Sequence, residues 1–233
     1  MRDNTLIVSE KFYSLQGEGQ TMGYPAIFLR LAGCNILCKS EHWICDTIEV
    51  WRKGKATDFQ KVFTRNEINK LREGVHLVIT GGEPLLHQKK LSEYLSWFVT
   101  RYKFLPTIEI ETNGTIIPEV SLSKFVEYWN CSPKLANSGV PEKNRINTLA
   151  ISKINSFEKS IFKFVVKDPS DMRHAIHDYG AEISSTKIMF MPAGETKEKL
   201  DLIRKNIIEK CILFGFRYCD RLHILTWNQK TGV

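Results

Sequence analysis

The stretch PAIFLRLAGCNILCKSEHWICDT, Pro25 to Thr47, decides how this chain is read. An apolar, strand-like run from Ala26 to Leu31 stops at Gly33. It delivers Cys34, Cys38 and Cys45, separated by three and then six residues. A lone cysteine is usually a small buried hydrophobe. Three within twelve positions, straight after a strand, point instead to metal. A four-iron cluster ordinarily takes four cysteines, so three would leave one iron open to a substrate or cofactor. The competing set adds His42: Cys34, Cys38, His42 and Cys45 carry the ligand types of a structural Cys3His zinc site. The spacing alone leaves both open.

Working outward, 233 residues with 42% hydrophobic content fit one large globular domain. No apolar run reaches the ~20 residues that a membrane span needs, and MRDNTLIVSEKF lacks the apolar core of a signal peptide. A cytoplasmic protein is expected. Cys131, Cys211 and Cys219 are scattered and read as reduced, and in a reducing compartment a cysteine cluster points to metal or catalysis. The net charge is +7 and the pI about 9.0. Lysines and arginines are dispersed, with no arginine-rich or aromatic-interleaved stripe, so a solvated basic surface is expected rather than direct nucleic-acid binding.

Strands are expected over Thr5–Leu15, Ala26–Leu31, His76–Thr80, Thr107–Glu111, Phe125–Cys131, Phe162–Val166, Lys187–Met191 and Leu222–Trp227. Helices are expected after the capping-box pattern Thr64–Glu67, over Gln88–Tyr102, after Asp168-Pro169 and over Thr196–Phe214. Apolar strands alternating with helices imply βαβ units and a parallel sheet, here an α/β fold of partial or full (β/α) barrel type. The unusual residues sit just after the strands: the cysteines, Gly81-Gly82-Glu83, Thr112-Asn113-Gly114, Ser132-Pro133-Lys134 and Met191-Pro192. In barrel enzymes the site lies at the C-terminal ends of the strands. Convergence of these turns on one mouth points to an enzyme rather than a zinc module.

Single residues have bland and functional readings. Paired glycines in ITGGEP let a ligand approach the backbone, or simply make a tight turn. Ser132-Pro133-Lys134 offers a hydroxyl and a cation for a carboxylate or ribose, or is an ordinary turn. Arg30 lies inside an apolar strand and points opposite to Leu29 and Leu31. A buried guanidinium needs a partner: Glu18, another internal acid, or a substrate carboxylate held bidentately. Thr47 has an oxygen suited to Mg2+, or is a cap. His76, His87, His174, His177 and His223 show no metal spacing.

Taken together, FYSLQGEGQTMGYPAIFLRLAGCN, CDT followed by Trp51, ITGGEP, IEIETNGT, CSPKLANSG, KFVVKD, FMPAG and LHILTWNQKTGV resemble the radical S-adenosylmethionine (SAM) superfamily, and within it the 7-carboxy-7-deazaguanine synthase family. The resemblance runs from residue 12 to 233 and implies one radical SAM domain over 1–233, with short N- and C-terminal extensions. It implies a 4Fe-4S cluster on Cys34, Cys38 and Cys45 whose open iron takes the amino and carboxylate groups of SAM. It implies reductive cleavage of SAM to a 5′-deoxyadenosyl radical that abstracts hydrogen from C6 of 6-carboxy-5,6,7,8-tetrahydropterin. Ring contraction and loss of ammonia then give 7-carboxy-7-deazaguanine for queuosine-type biosynthesis, with Mg2+ assisting. Leu15, Gln16, Gly17, Arg30 and Thr80 would contact the pterin. Gly82, Ser132, Lys134, Met191 and the backbone of Ile44-Cys45-Asp46 would hold SAM. Thr47 would contact Mg2+, and Val233 would lie near the substrate. A flavodoxin-type reductant and a homodimer are the implied partners. The superfamily pattern has two residues between its second and third cysteines; here there are six. Lys39 to Ile44 is therefore expected to bulge outward, with His42 a bystander. A radical SAM enzyme for another heterocycle, and a zinc-dependent nucleic-acid binder, are the alternative readings.

Overall fold

The computed structural model of the chain describes residues 4–40, 44–45, 47–228 and 230. Expectations on His42, Asp46 and Val233 therefore lie outside the described residues. The described strands are β1 Thr5–Leu15, β2 Pro25–Leu31, β3 Lys55–Asp58, β4 His76–Gly81, β5 Ile108–Thr112, β6 Tyr128–Cys131, β7 Ser160–Val166, β8 Ile188–Pro192 and β9 Arg217–Tyr218. They form one sheet in the order β3-β1-β2-β4-β5-β6-β7-β8-β9. From β2 onward neighbours are parallel, while β1 is antiparallel to both β2 and β3. β3 and β9 are the edges, so the sheet stays open rather than closing into a full barrel.

Period-two alternation sorts the residues onto two faces. Ile27, Leu29, Leu77, Ile79, Ile108, Ile110, Trp129, Phe162, Phe164 and Phe190 belong to one large apolar core. The helices before the last are α1 Ile48–Trp51, α2 Arg65–Arg72, α3 Gln88–Tyr102, α4 Val120–Ser123, α5 Glu142–Arg145, α6 Thr148–Asn155, α7 Pro169–Tyr179 and α8 Lys197–Phe214, and the same core takes side chains from α2, α3, α6, α7 and α8, so helices cover this face. Each large side chain buried there contributes roughly 1.5–3 kcal/mol. The opposite face carries two small apolar clusters. One holds Ala26, Phe28 and Val78; the other holds Ile161, Met189, Met191 and Cys219. Between them runs a polar band from the alternate positions of the same strands: Arg30, Thr80, Glu109, Glu111, Asn130 and Lys163.

Local signals place most elements. Thr64 and Glu67 form the expected reciprocal capping box at α2. Asp168 accepts from the Ser170 and Asp171 amides with Pro169 at the first turn of α7. α3 spans the anticipated Gln88–Tyr102. Two expectations are corrected. The strand expected from Phe125 is only Tyr128–Cys131, because Phe125 and Val126 are taken up in turns whose amides bond Leu122 and Ser123. Leu222–Trp227, expected to be a strand, is a helix, α9. Its amides bond four residues back, Leu225 to Arg221 and Asn228 to Ile224. A six-residue apolar run does not distinguish strand from helix by itself. Among the described residues no helix is long and apolar enough to cross a membrane.

Candidate active site

The cysteine loop leaves the end of β2 and packs as its own cluster. Cys38, Ile36 and Val140 are buried together, with Cys34 and Cys45 against them. On either side of residues 41–43 the spacer is paired. Lys39 and Ile44 form an antiparallel bridge, and the Cys45 amide donates to the Cys38 carbonyl at 3.1 Å. Cys45 is thereby brought back beside Cys38. Among the described residues no three His, Cys, Asp or Glu side chains stand close enough to share a single ion. A four-iron cube holds its cysteine sulfurs farther apart than one ion does. Thr47 Oγ1 lies 3.5 Å from Cys45 Sγ. Thr47 sits at the N-cap of the short helix α1 (Ile48–Trp51) but its side chain caps nothing.

The turn after β4 locks onto this loop. The Glu83 amide donates to the Gly33 carbonyl at 2.9 Å. A Cβ on Gly82 would fall 2.3 Å from Gly33 O and 2.6 Å from Cys34 Cβ. The close approach that needs glycine here is therefore made by the cysteine loop itself. Glu83 is fully buried and accepts from the Leu85 amide, the Asn113 amide and Thr112 Oγ1 at 2.7–3.0 Å. Burial raises its carboxyl to about 7, against the pull of those donors and of Lys134. Asn113, in the turn after β5, accepts from the Thr115 amide through Oδ1, which directs Nδ2 toward Cys34 Sγ at 4.0 Å and Asn35 Oδ1 at 3.0 Å.

After β6, Lys134 Nζ donates to Ser132 Oγ at 3.2 Å. Burial pushes the Cys34 thiol up, with Glu83 and Cys45 adding to it and Lys134 among the opposing groups. That places Lys134 within electrostatic reach of the cysteine loop. The turns after β6, β7 and β8 enclose a cavity of about 150 Å³ lined by Pro133, Lys134, Leu135, Val165, Lys167 and Gly194, among others. Met191 does not line it; its side chain is buried with Ile161, Met189 and Cys219.

The QGEG loop crosses the polar band. Gln16 Nε2 donates to Glu109 and, at 3.1 Å, to Glu111, while Thr21 and Asn130 also donate to Glu109. Burial and Glu111 raise the Glu109 carboxyl to about 7 despite these three donors. Glu18 takes Lys163 and Arg221 as partners, the latter at 3.0 Å, with His223 at 3.8 Å. Burial alone would raise the Glu18 carboxyl, but these cations hold it well below the usual range. Arg30 pairs not with Glu18 but with Glu10, its register partner on β1, at 2.7 Å, and it lies beside Thr80 across β2 and β4. Its side chain is 14% exposed, on the polar face as the alternation requires. Gly17 lies under α9: a Cβ there would stand 2.4 Å from His223 Nδ1. Leu15, beside it, is exposed.

A family model described as a 4Fe-4S single cluster domain matches residues 15–137. The 7-carboxy-7-deazaguanine synthase of Pyrobaculum aerophilum is 34% identical over 97% of this chain and 96% of its own. That of Halobacterium salinarum is 32% identical over 96% and 91%. The chain belongs to the 7-carboxy-7-deazaguanine synthase family. The crystal structure of QueE from Escherichia coli superposes with a TM-score of 0.67 at 26% identity, covering 94% of this chain and 95% of that one. The open, mostly parallel sheet is thus the partial barrel of this radical SAM family.

The family's cluster and SAM fit the donor set seen here. Three thiols share one loop, and the remaining cysteines are buried elsewhere: Cys131 and Cys211 in the helix-side core, Cys219 beside Met191. Soft thiolates suit iron–sulfur clusters, and three leave an open iron. The sequence singled out the cysteine loop, Gly82, Ser132-Lys134, Gln16, Arg30 and Thr80 as candidates, and the fold sets Arg30 beside Thr80 and Gly82 against the cysteine loop. Sequence reasoning missed Glu109, Lys163 and Arg221. Lys163 carried the same signal as Arg30, a cation alternating with apolar neighbours in a strand. Arg221 had none, because only the fold brings it to Glu18.

Proposed function

We propose that this chain converts 6-carboxy-5,6,7,8-tetrahydropterin to 7-carboxy-7-deazaguanine with loss of ammonia, as a single cytoplasmic radical SAM domain with short terminal additions. The observation that carries this is the meeting of the three-cysteine loop, the Gly82 turn and the Ser132–Lys134 turn beside one polar sheet face. Cys34, Cys38 and Cys45 would hold the 4Fe-4S cluster. When bound, cluster and SAM supply one-electron cleavage of SAM and hydrogen abstraction from the substrate. The chain's own residues bind, orient and shield. The Gly82 turn, Ser132, Lys134 and the Ile44–Cys45 backbone would hold SAM. Arg30, Thr80 and the Leu15–Gly17 segment would hold the pterin. Thr47, whose hydroxyl is not spent on capping α1, would contact Mg2+. A flavodoxin-type reductant and a second copy of the chain are the proposed partners.

The deciding experiment is the electron paramagnetic resonance spectrum of anaerobically reconstituted, reduced protein, with and without SAM. A four-iron signal that changes on adding SAM is expected. Stoichiometric zinc with no such signal would overturn the proposal. Cys45→Ala is expected to abolish that signal, whereas His42→Ala keeps it with unchanged iron content. Equal loss in both variants would make His42 part of the cluster site rather than a bystander.

Arg30→Ala is expected to raise the pterin KM roughly 10–100-fold, the worth of a charge-assisted hydrogen bond. SAM cleavage uncoupled from product should persist. Glu10 is 32% exposed, so losing its partner costs little stability. Turnover with an unchanged KM would remove Arg30 from the substrate site.

A further inference from the structure

The return between Cys38 and Cys45 presses on the end of the segment that begins at Ser132. A Cβ on Gly139 would fall 2.0 Å from the Lys39 carbonyl oxygen, 2.8 Å from its carbon and 3.3 Å from Ser40 Cα. These are backbone atoms of the hairpin's first limb, not the ends of flexible side chains. Gly139 has φ +74, in the left-handed region, and caps the 3-10 turn Ala136–Ser138. Its neighbour Val140 is buried against Cys38 and Ile36 in the cysteine cluster.

The segment beneath is firmly held from the other side. Asn137 Nδ2 donates to Asp171 Oδ2 on α7 at 2.8 Å. Ser138 Oγ bonds the Leu135 carbonyl at 2.7 Å, and Tyr179 Oη donates to the Lys134 carbonyl at 2.8 Å. One short segment therefore carries Ser132 and Lys134 at its start and the bed of the cysteine loop at its end.

We infer that Gly139 is a positioning residue for the cluster: its missing Cβ gives the Lys39 carbonyl a seat on a rigid turn, and this fixes where the enlarged spacer returns Cys45. The inference rests on the proposed role of Cys34, Cys38 and Cys45 as cluster ligands. With an added methyl group the hairpin root must lift, because the turn anchored to α7 cannot yield. Cys45 then moves away from Cys38, and the cysteine loop loses its register with the Ser132–Lys134 turn.

The test compares wild type with Gly139→Ala, Val140→Ala and Gly74→Ala after anaerobic reconstitution. It reads iron and sulfide per chain against added chelator, together with the paramagnetic signal with and without SAM. Gly74 has φ +100, and a Cβ added there would meet nothing within 4 Å, so its alanine variant carries left-handed strain alone. Gly139→Ala is expected to retain iron roughly tenfold less well, in the range seen when groups supporting metal ligands are removed. Any remaining cluster should show a diminished response to SAM. Val140→Ala, which adds no backbone strain, is expected to shift both readouts in the same direction; it decides the matter if Gly139→Ala does not fold. Gly74→Ala is expected to match wild type. Wild-type iron retention and SAM response in both Gly139→Ala and Val140→Ala would overturn the inference, as would an equal loss in Gly74→Ala. Failure of the wild type itself to take up a cluster would instead overturn the proposed function.

Discussion

Replacing Glu18 by glutamine is expected to destabilise the protein by about 3–5 kcal/mol, the usual cost of breaking a buried ion pair by removing one partner. Glu18 and Lys163 have side chains 15% and 8% exposed, and Arg221 on the same carboxylate is 14% exposed. Glutamine matches the shape of the carboxylate but leaves two cations facing a neutral group in a poorly solvated place. For a chain of this length the change corresponds to a fall in Tm of roughly 6–20 °C. The pH dependence has a definite sign. Glu18 is held below its usual 4.5 by Lys163, Arg221 and His223, against burial. Its contribution is therefore fully present above 4.5 and is lost as pH falls below it. Lys163 is held above its usual 10.5: burial would lower it, but Glu18 and Glu111 prevail, so its contribution is lost only as pH rises past that value. The pair is insensitive to pH near neutrality, and the glutamine variant should lose the acid-side slope that Glu18 imposes. Urea unfolding of both proteins at pH 7 and pH 4 measures this. A difference below about 1 kcal/mol at pH 7, the range of exposed pairs, would mean that the network contributes no more than a solvated one.

Gly82→Ala is expected to weaken both cluster retention and SAM binding roughly 10–100-fold. The added Cβ meets the Gly33 carbonyl and Cys34 Cβ at distances that no side-chain rotation relieves. The strain of overpacking, about 1–3 kcal/mol, falls on the contact between the two loops, where the Glu83 amide bonds Gly33. Thermal stability should drop modestly, since the large core lies on the other side of the sheet. Iron content and equilibrium dialysis with SAM check the prediction. Wild-type values in both would show that the loops separate without consequence for the site.

Much of this was legible along the chain because it is written in local patterns. The capping box at Thr64, the Asp168-Pro169 start and the apolar run at His76 each place an element by short-range chemistry. Arg30 was legible as a residue needing a partner, because a cation alternating with Leu29 and Leu31 has to face the polar side. Which partner it has was not legible: Glu10 is opposite Arg30 only through the antiparallel register of β1 and β2. Leu222–Trp227 is not legible as a helix because a short apolar run suits either period, and only its four-back amide bonds in the fold settle it.

By itself the sequence determined most of the element types, the cysteine loop and the family. It could do so because capping, alternation and motif order depend on residues near one another in the chain. Only the tertiary structure decided how the polar residues pair. Glu18 meets Lys163 and Arg221 across separations of 145 and 203 residues. It also decided that the Cys45 amide returns to the Cys38 carbonyl and that Lys39 seats on Gly139, a residue far along the chain with no local pattern to announce it. Ion pairing and backbone contact act over a few ångströms in space, whatever the distance along the chain, and the open parallel sheet is what brings these groups within that reach.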